Sequence, residues 1–322
     1  MERTRMTLGI RVTKVALLPA LLLLPLFLLF LLLPVACTEN ELELRKNEGC
    51  VIVSPDWQEY TLPGSVACRV YAESGEATPY TYKEASADVF ACSLPPGVYR
   101  LLAYNTDAAG VEFAAQQDIA SAEARILPGA QPGDLYAWDV ERMEVRLRDT
   151  LNFTPVPRPL VKTLHLNFRL AGIGDIESIE GNLYGVYPSV CLLTGKPSAE
   201  SVEAAPVTSV PFVGEVRQRL SAGNARTIGY EGVSSVRLFG LLDPQGGKLY
   251  DNRLKLNLRL PDHEVRQAEV DMNGTLSDIL AQNGGEIPPE VPVKIEIEIK
   301  WVNSSLVASV KEWTLGEGTG GV

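Results

Sequence analysis

The side chains that most often do chemistry near neutral pH are scarce in this 322-residue chain, which has two histidines, His165 and His263, and five cysteines. His165 falls on the polar side of an alternating run, and His263 sits in a Pro-Asp-His-Glu turn far away in sequence. A zinc site or a Ser-His-Asp triad would have to be assembled from these alone, and neither has neighbours that suggest it, so both read as surface residues. Gly172-Ile173-Gly174 follows a strand pattern but lacks the third glycine and the long helix of a dinucleotide turn, so it reads as a loop. In LPPGVYRLLAYN (Leu94 to Asn105), no helix follows Gly97 to receive a phosphate, and the stretch is a turn into a strand. Acidic residues are numerous enough for a glycosidase pair, but most stand on expected wet faces or in turns. No catalytic residue, metal site or cofactor is expected, and the chain is not read as an enzyme.

Cys50, Cys68, Cys92 and Cys191 fit no metal-binding spacing, and no CxxC occurs. Cys68 and Cys92 share inward parity on two expected strands. A disulfide between them is one reading, and buried free thiols are the other. Trp57, Tyr60, Tyr80, Tyr82, Tyr136 and Trp138 gather near turns, where they could stack on sugars; packing at the rim of strands is the commoner fate of such residues.

The elements that position these residues are strands. Short apolar runs at 51–53, 65–72, 88–94, 98–104, 111–115, 124–127 and 143–148 are separated by PG, SG, PPG, AAG and LPG turns. Farther on, KTLHLNFRL, RLKLNLRL and PVKIEIEIKW alternate strictly, so each is a strand with one buried and one wet face. The basic face of 253–259 could lie across a sheet from the acidic face of 296–298. A short helix is expected over Thr275–Gln282, capped by Thr275 or Ser277 and stopped at Asn283-Gly284. Without long helices between strands, the pattern is all-β and antiparallel. TPVPRPL, Thr154–Leu160, reads as a proline-rich linker between domains at 37–153 and 161–322.

The N-terminus is built for export. Arg3, Arg5, Arg11 and Lys14 precede an apolar run from Val15 to Ala36, a secretory signal at 1–36. Pro34-Val35-Ala36-Cys37 resembles the lipobox of bacterial lipoproteins, which implies lipidation of Cys37 after cleavage; Pro34 stands where that pattern usually has leucine. Glu39, Glu41 and Glu43 resemble the surface-export signal of Bacteroidetes lipoproteins, and a solvated tether is the plainer reading. Cleavage removes four basic residues and one acidic residue, leaving 25 against 39 and a net charge of −14. That balance argues against nucleic acid as a partner.

The order of features is lipobox, a strand ending at PDW, VACRVYAESG, LPPGVYRLLAYN, a proline linker, VDMNGTLSDIL and an alternating last strand. It resembles the Bacteroidales fimbrillin-like lipoproteins, the fimbrial anchor (Mfa-like and FimB-like) group. The resemblance implies two tandem transthyretin-like antiparallel β-sandwich domains. It also implies a role as a fimbrial anchor or pilus-associated adhesive subunit, joined to other fimbrillin-like subunits by strand addition and held to the outer membrane at the cell surface by its lipid. The alternative is a surface glycan-binding lipoprotein of a nutrient-uptake system.

Overall fold

The computed structural model describes residues 47–74, 79–114, 118–173, 175–196, 209–220, 228–242, 252–289 and 291–316. The export segment and Cys37 lie outside them. In the first half, β1 (Gly49–Val53) pairs antiparallel with β4 (Phe90–Leu94) and parallel with β9 (Thr150–Phe153). A second sheet runs β10–β8–β5–β2–β3. Its strands are β2 (Val66–Ala72), β3 (Tyr80–Ala85), β5 (Gly97–Asn105), β8 (Tyr136–Val145) and β10 (Arg158–Pro159). Val51, Val53, Phe90 and Leu94 of the first sheet meet Val66, Val70, Leu101 and Met143 of the second in one core, which makes the pair a sandwich.

The second half is a single eight-stranded sheet folded on itself, in the order β17–β16–β12–β14–β15–β11–β18–β19. These strands are β11 (Lys162–Ala171), β12 (Ser178–Tyr184), β14 (Ser209–Leu220), β15 (Ile228–Leu238), β16 (Arg253–Arg259), β17 (Val265–Asp271), β18 (Val293–Val302) and β19 (Ser305–Leu315). The long β14 makes the fold possible. Its residues 209–214 pair with β12 and its residues 215–220 with β15, so one strand serves both wings. Leu254, Leu256 and Leu258 of one wing then share a core with Leu164, Leu166, Phe168, Ile295 and Ile297 of the other. Gly181 is required on β12, because a Cβ there would lie 2.2 Å from the Lys255 carbonyl oxygen and 2.5 Å from the Phe212 ring.

Alternation set these strands correctly: Leu164, Leu166, Phe168 and Leu170 are buried, as are Val293, Ile295, Ile297 and Ile299. The expected pairing of the basic 253–259 face with 296–298 does not occur. β16 lies between β12 and β17, while β18 lies between β11 and β19. Glu296 instead meets Arg169 at 2.7 Å, and Glu298 meets Lys311 at 2.9 Å. The helix α1 spans Asn273–Gln282, two residues earlier than expected and with no side-chain cap from its N-cap Met272. It stops as expected, with Gly284 and Gly285 at positive φ and the Gly285 N–H donating to the Leu280 carbonyl at 2.7 Å.

The β5 strand is buried on both faces. Tyr99, Leu101 and Ala103 enter the sandwich core, while Leu102 and Tyr104 enter another cluster containing Val190, Leu192 and Phe239 from the second half. A small sheet covers that cluster, formed by β6 (Val111–Phe113), β7 (Glu123–Ile126) and β13 (Ser189–Cys191). Of the expected linker, Arg158–Pro159 pairs with β8, and Leu160 is buried in the shared cluster. Phe239→Ala empties the shared core and is expected to cost about 3–5 kcal/mol in urea unfolding. Val213→Ala, at a side chain 72% exposed, is expected to stay within about 0.5 kcal/mol.

Candidate functional site

The residues singled out as chemically able are dispersed and mostly structural. His165 Nδ1 lies 2.8 Å from Ser235 Oγ on the neighbouring strand, and burial, followed by the charge of Lys294, lowers its pKa. His263 occupies a left-handed turn position (φ 67°), with Glu177 at 3.9 Å. Gly172 also has positive φ (67°), and Ile173 is buried in the loop between β11 and β12, as the loop reading requires. Gly174 lies outside the described residues.

Cys68 on β2 and Cys92 on β4 belong to the same sandwich core, and both thiols are free. Burial, with a smaller contribution from Cys92, pushes the Cys68 thiol up to about 12; burial likewise pushes Cys92 up to about 11. Such thiols are neutral and unreactive at physiological pH. Cys191 is half-buried, with its Sγ 3.7 Å from the Ala120 carbonyl oxygen.

The aromatic group is a packing unit. Trp57 and Trp138 are 6% and 2% exposed, with ring centroids 5.2 Å apart in an edge-to-face arrangement. Trp57 donates its indole N–H to the Ala87 carbonyl at 2.8 Å, and Tyr136 stands 5.7 Å from the Trp57 ring. Tyr82 packs against Phe90 at 5.0 Å. A sugar platform built on Trp57 and Trp138 is therefore excluded by their burial.

Among the described residues, two surface features of the eight-stranded sheet stand out. The first is its seam. The edge strands β17 and β19 run close together, yet no hydrogen-bonded ladder joins them. On β17 and the β18–β19 hairpin, Val265, Trp301, Val302, Val307 and Leu315 are exposed, and Arg266 lies over the Trp301 ring at 5.7 Å. An unpaired edge with apolar side chains is a template for another strand. The β18–β19 hairpin turns tightly at Asn303 and Ser304 (φ 48° and 66°), whose left-handed conformations suit a two-residue turn. The second feature is a trough of about 620 Å³ on the outward side of β12, β16 and β17, with Leu306–Ala308 of β19 as a wall. Neither feature was visible in the sequence, because each is made by strands distant in the chain.

Comparison with known proteins supports the architecture. No protein-family model matches the chain, and no curated protein does. Among solved structures, an adhesin candidate from Bacteroides ovatus superposes with a TM-score of 0.55 at 16% identity, covering 82% of this chain and 92% of its own. A second adhesin candidate, from Bacteroides thetaiotaomicron, gives 0.52 at 11% identity, covering 84% and 98%. The fimbrial anchor protein Mfa2 of Porphyromonas gingivalis gives 0.49 at 13% identity, covering 83% and 97%. The all-β sandwich fold implied by the sequence resemblance is the fold found.

Alkylation tests the thiols. In native protein at pH 8, iodoacetamide is expected to modify Cys191 and to spare Cys68 and Cys92. Denaturant without reductant is then expected to expose both as reactive thiols, read by mass spectrometry, and failure of either to react would point to a bridge.

Proposed function

We propose that this protein is a lipid-anchored structural and adhesive subunit of a surface fimbrium, held to the outer membrane at Cys37 and joined to its neighbour by strand addition. The observation that carries this reading is the open seam between β17 and β19. Both strands leave backbone N–H and C=O groups unpaired along that line, and β19 offers eleven residues of edge. A strand from another subunit would pair with the free outer edge of β19 and cover the apolar fringe, with main-chain bonds giving affinity and alternating side chains giving register. The fold shared with the two Bacteroides adhesin candidates is consistent with a surface role. The scarcity of reactive side chains fits a scaffold better than an enzyme.

A charge on the edge should block pairing without disturbing the core. Val307→Lys, at a side chain 41% exposed, is expected to abolish co-purification of partner subunits and leave the melting temperature unchanged. An unaltered subunit ladder would refute strand addition at this seam. Cys37→Ala is expected to move the protein from the membrane fraction to the soluble one and to remove it from surface protease shaving; membrane retention would refute the lipid anchor.

A further inference from the structure

The trough opens onto the seam, sharing Gln267–Glu269 of β17 and Leu306–Ala308 of β19 with it, and its floor on β12 and β16 has a chemistry of its own. Residues of β12, β16 and β17 alternate, and those of opposite parity, Leu183, Leu254, Leu256, Leu258 and Val270, are buried in the core. The outward set is therefore fixed in place by the packing behind it. Register brings it into two rows across three strands. Asn182 stands opposite Lys255, which stands opposite Glu269; Glu180 stands opposite Asn257, which stands opposite Gln267. Adjacent members of a row are separated by the ordinary strand spacing, about 4.8 Å.

A polar outer face is the usual fate of such residues, and elsewhere on this protein it consists of ion pairs, such as Arg169–Glu296 and Arg217–Glu215. The trough differs in two respects. It is a half-open depression of about 620 Å³ walled on one side by Leu306–Ala308, a volume within the range of ligand sites. Moreover, its floor carries three carboxamides, Asn182, Asn257 and Gln267, whose side chains have no hydrogen-bond partner among the described residues.

We infer that this trough is a saccharide-binding site. A carboxamide offers a donor and an acceptor side by side, which matches the donor and acceptor that each sugar hydroxyl presents. Glu269 pairs with Arg253, and Lys255 lies over the Tyr184 ring, so the floor carries one charge of each sign and no run of like charge for a polyanion or polycation. Lys255 Nζ lies over the Tyr184 ring at 5.0 Å and covers that face, so the Leu306–Val307 wall supplies the apolar contact for the C–H faces of a sugar ring. The polar lining distinguishes the trough from the apolar pockets that take hydrophobic ligands. The inference goes beyond strand addition by giving the adhesive subunit its own ligand class.

The test uses the full mature lipoprotein in a detergent without a sugar headgroup. It is applied to an array of neutral, acidic and basic glycans printed beside extended peptides, and a bound glycan is then titrated by calorimetry. Saturable glycan binding is expected, weakened about tenfold or more by Asn182→Ala/Asn257→Ala, which removes several hydrogen bonds. Asn257→Asp, which keeps the shape and removes the donors, should weaken binding in the same direction, and the melting temperature should hold in both variants. Both substitutions lie away from the edge strands, so the partner-subunit ladder should persist, which separates this inference from the seam. Absence of binding to every glycan, binding only to peptides, or glycan affinity unchanged in both variants would overturn it.

Discussion

The double burial of β5 is the constraint on which the rest of the structure depends. A strand apolar on one face can close a simple sandwich; a strand apolar on both needs a second layer. Leu101 and Ala103 satisfy the first requirement within the first half of the chain. Leu102 and Tyr104 impose the second, and their cover includes Leu160 from the end of the expected linker and Val161, Val190, Leu192 and Phe239 from beyond it. The outer face of the first sandwich is thus completed by the second half. The described residues from Glu48 onward accordingly belong to one compact unit.

Polar contacts at the same junction fix its geometry. Gln131 donates to the Pro211 carbonyl at 2.6 Å and accepts from the Arg237 N–H at 2.8 Å, so one side chain ties β14 and β15 to the first half. Arg237 also pairs with Asp134. Arg158 donates to the Leu192 carbonyl at 2.8 Å and pairs with Asp139 at 3.5 Å. Hydrogen bonds to charged groups at a partly buried site contribute more than exposed ion pairs do, and their directionality selects one docking angle where apolar packing alone would tolerate several. The polyproline stretch accordingly ends in a short strand on β8.

What the sequence revealed followed from periodicity. Strands wet on one face, such as β11, β16 and β18, were legible residue by residue, because a slip of one would expose a whole apolar set. The first half of β8 was missed: Tyr136, Ala137 and Trp138 do not alternate in character, since Ala137 serves one core and Trp138 the other. β3 was missed for another reason, since Tyr80–Ala85 mixes polar and aromatic residues on an edge strand. The misjudged pairing of 253–259 with 296–298 shows that charge complementarity cannot choose neighbours. Backbone register is set by buried leucines and isoleucines, and the charges take whatever partners result. The trough was illegible for the same reason, because Asn182, Asn257 and Gln267 each look like an ordinary wet-face residue until register aligns them.

The seam follows from how the eight-stranded sheet folds. By serving both wings, β14 brings the ends of the sheet together, but the edge strands that meet are unequal. β17 has seven residues and β19 has eleven. β19 therefore extends beyond anything β17 could pair with, and a closed barrel would leave part of it without a partner. Protection against uncontrolled association is only partial, with Arg266 covering Trp301 and Lys311 engaging Glu298, while Val307 and Leu315 stay exposed. A protein selected only to remain monomeric would blunt such an edge with inward charges, bulges or proline. Here the bulge falls in β19 itself, where Lys311 is skipped between Glu312 opposite Glu296 and Val310 opposite Ile297, so it blunts the edge there and leaves Ser305–Ser309 regular. The unequal edges and their weak protection give an incoming strand both a ladder to complete and apolar surface to cover.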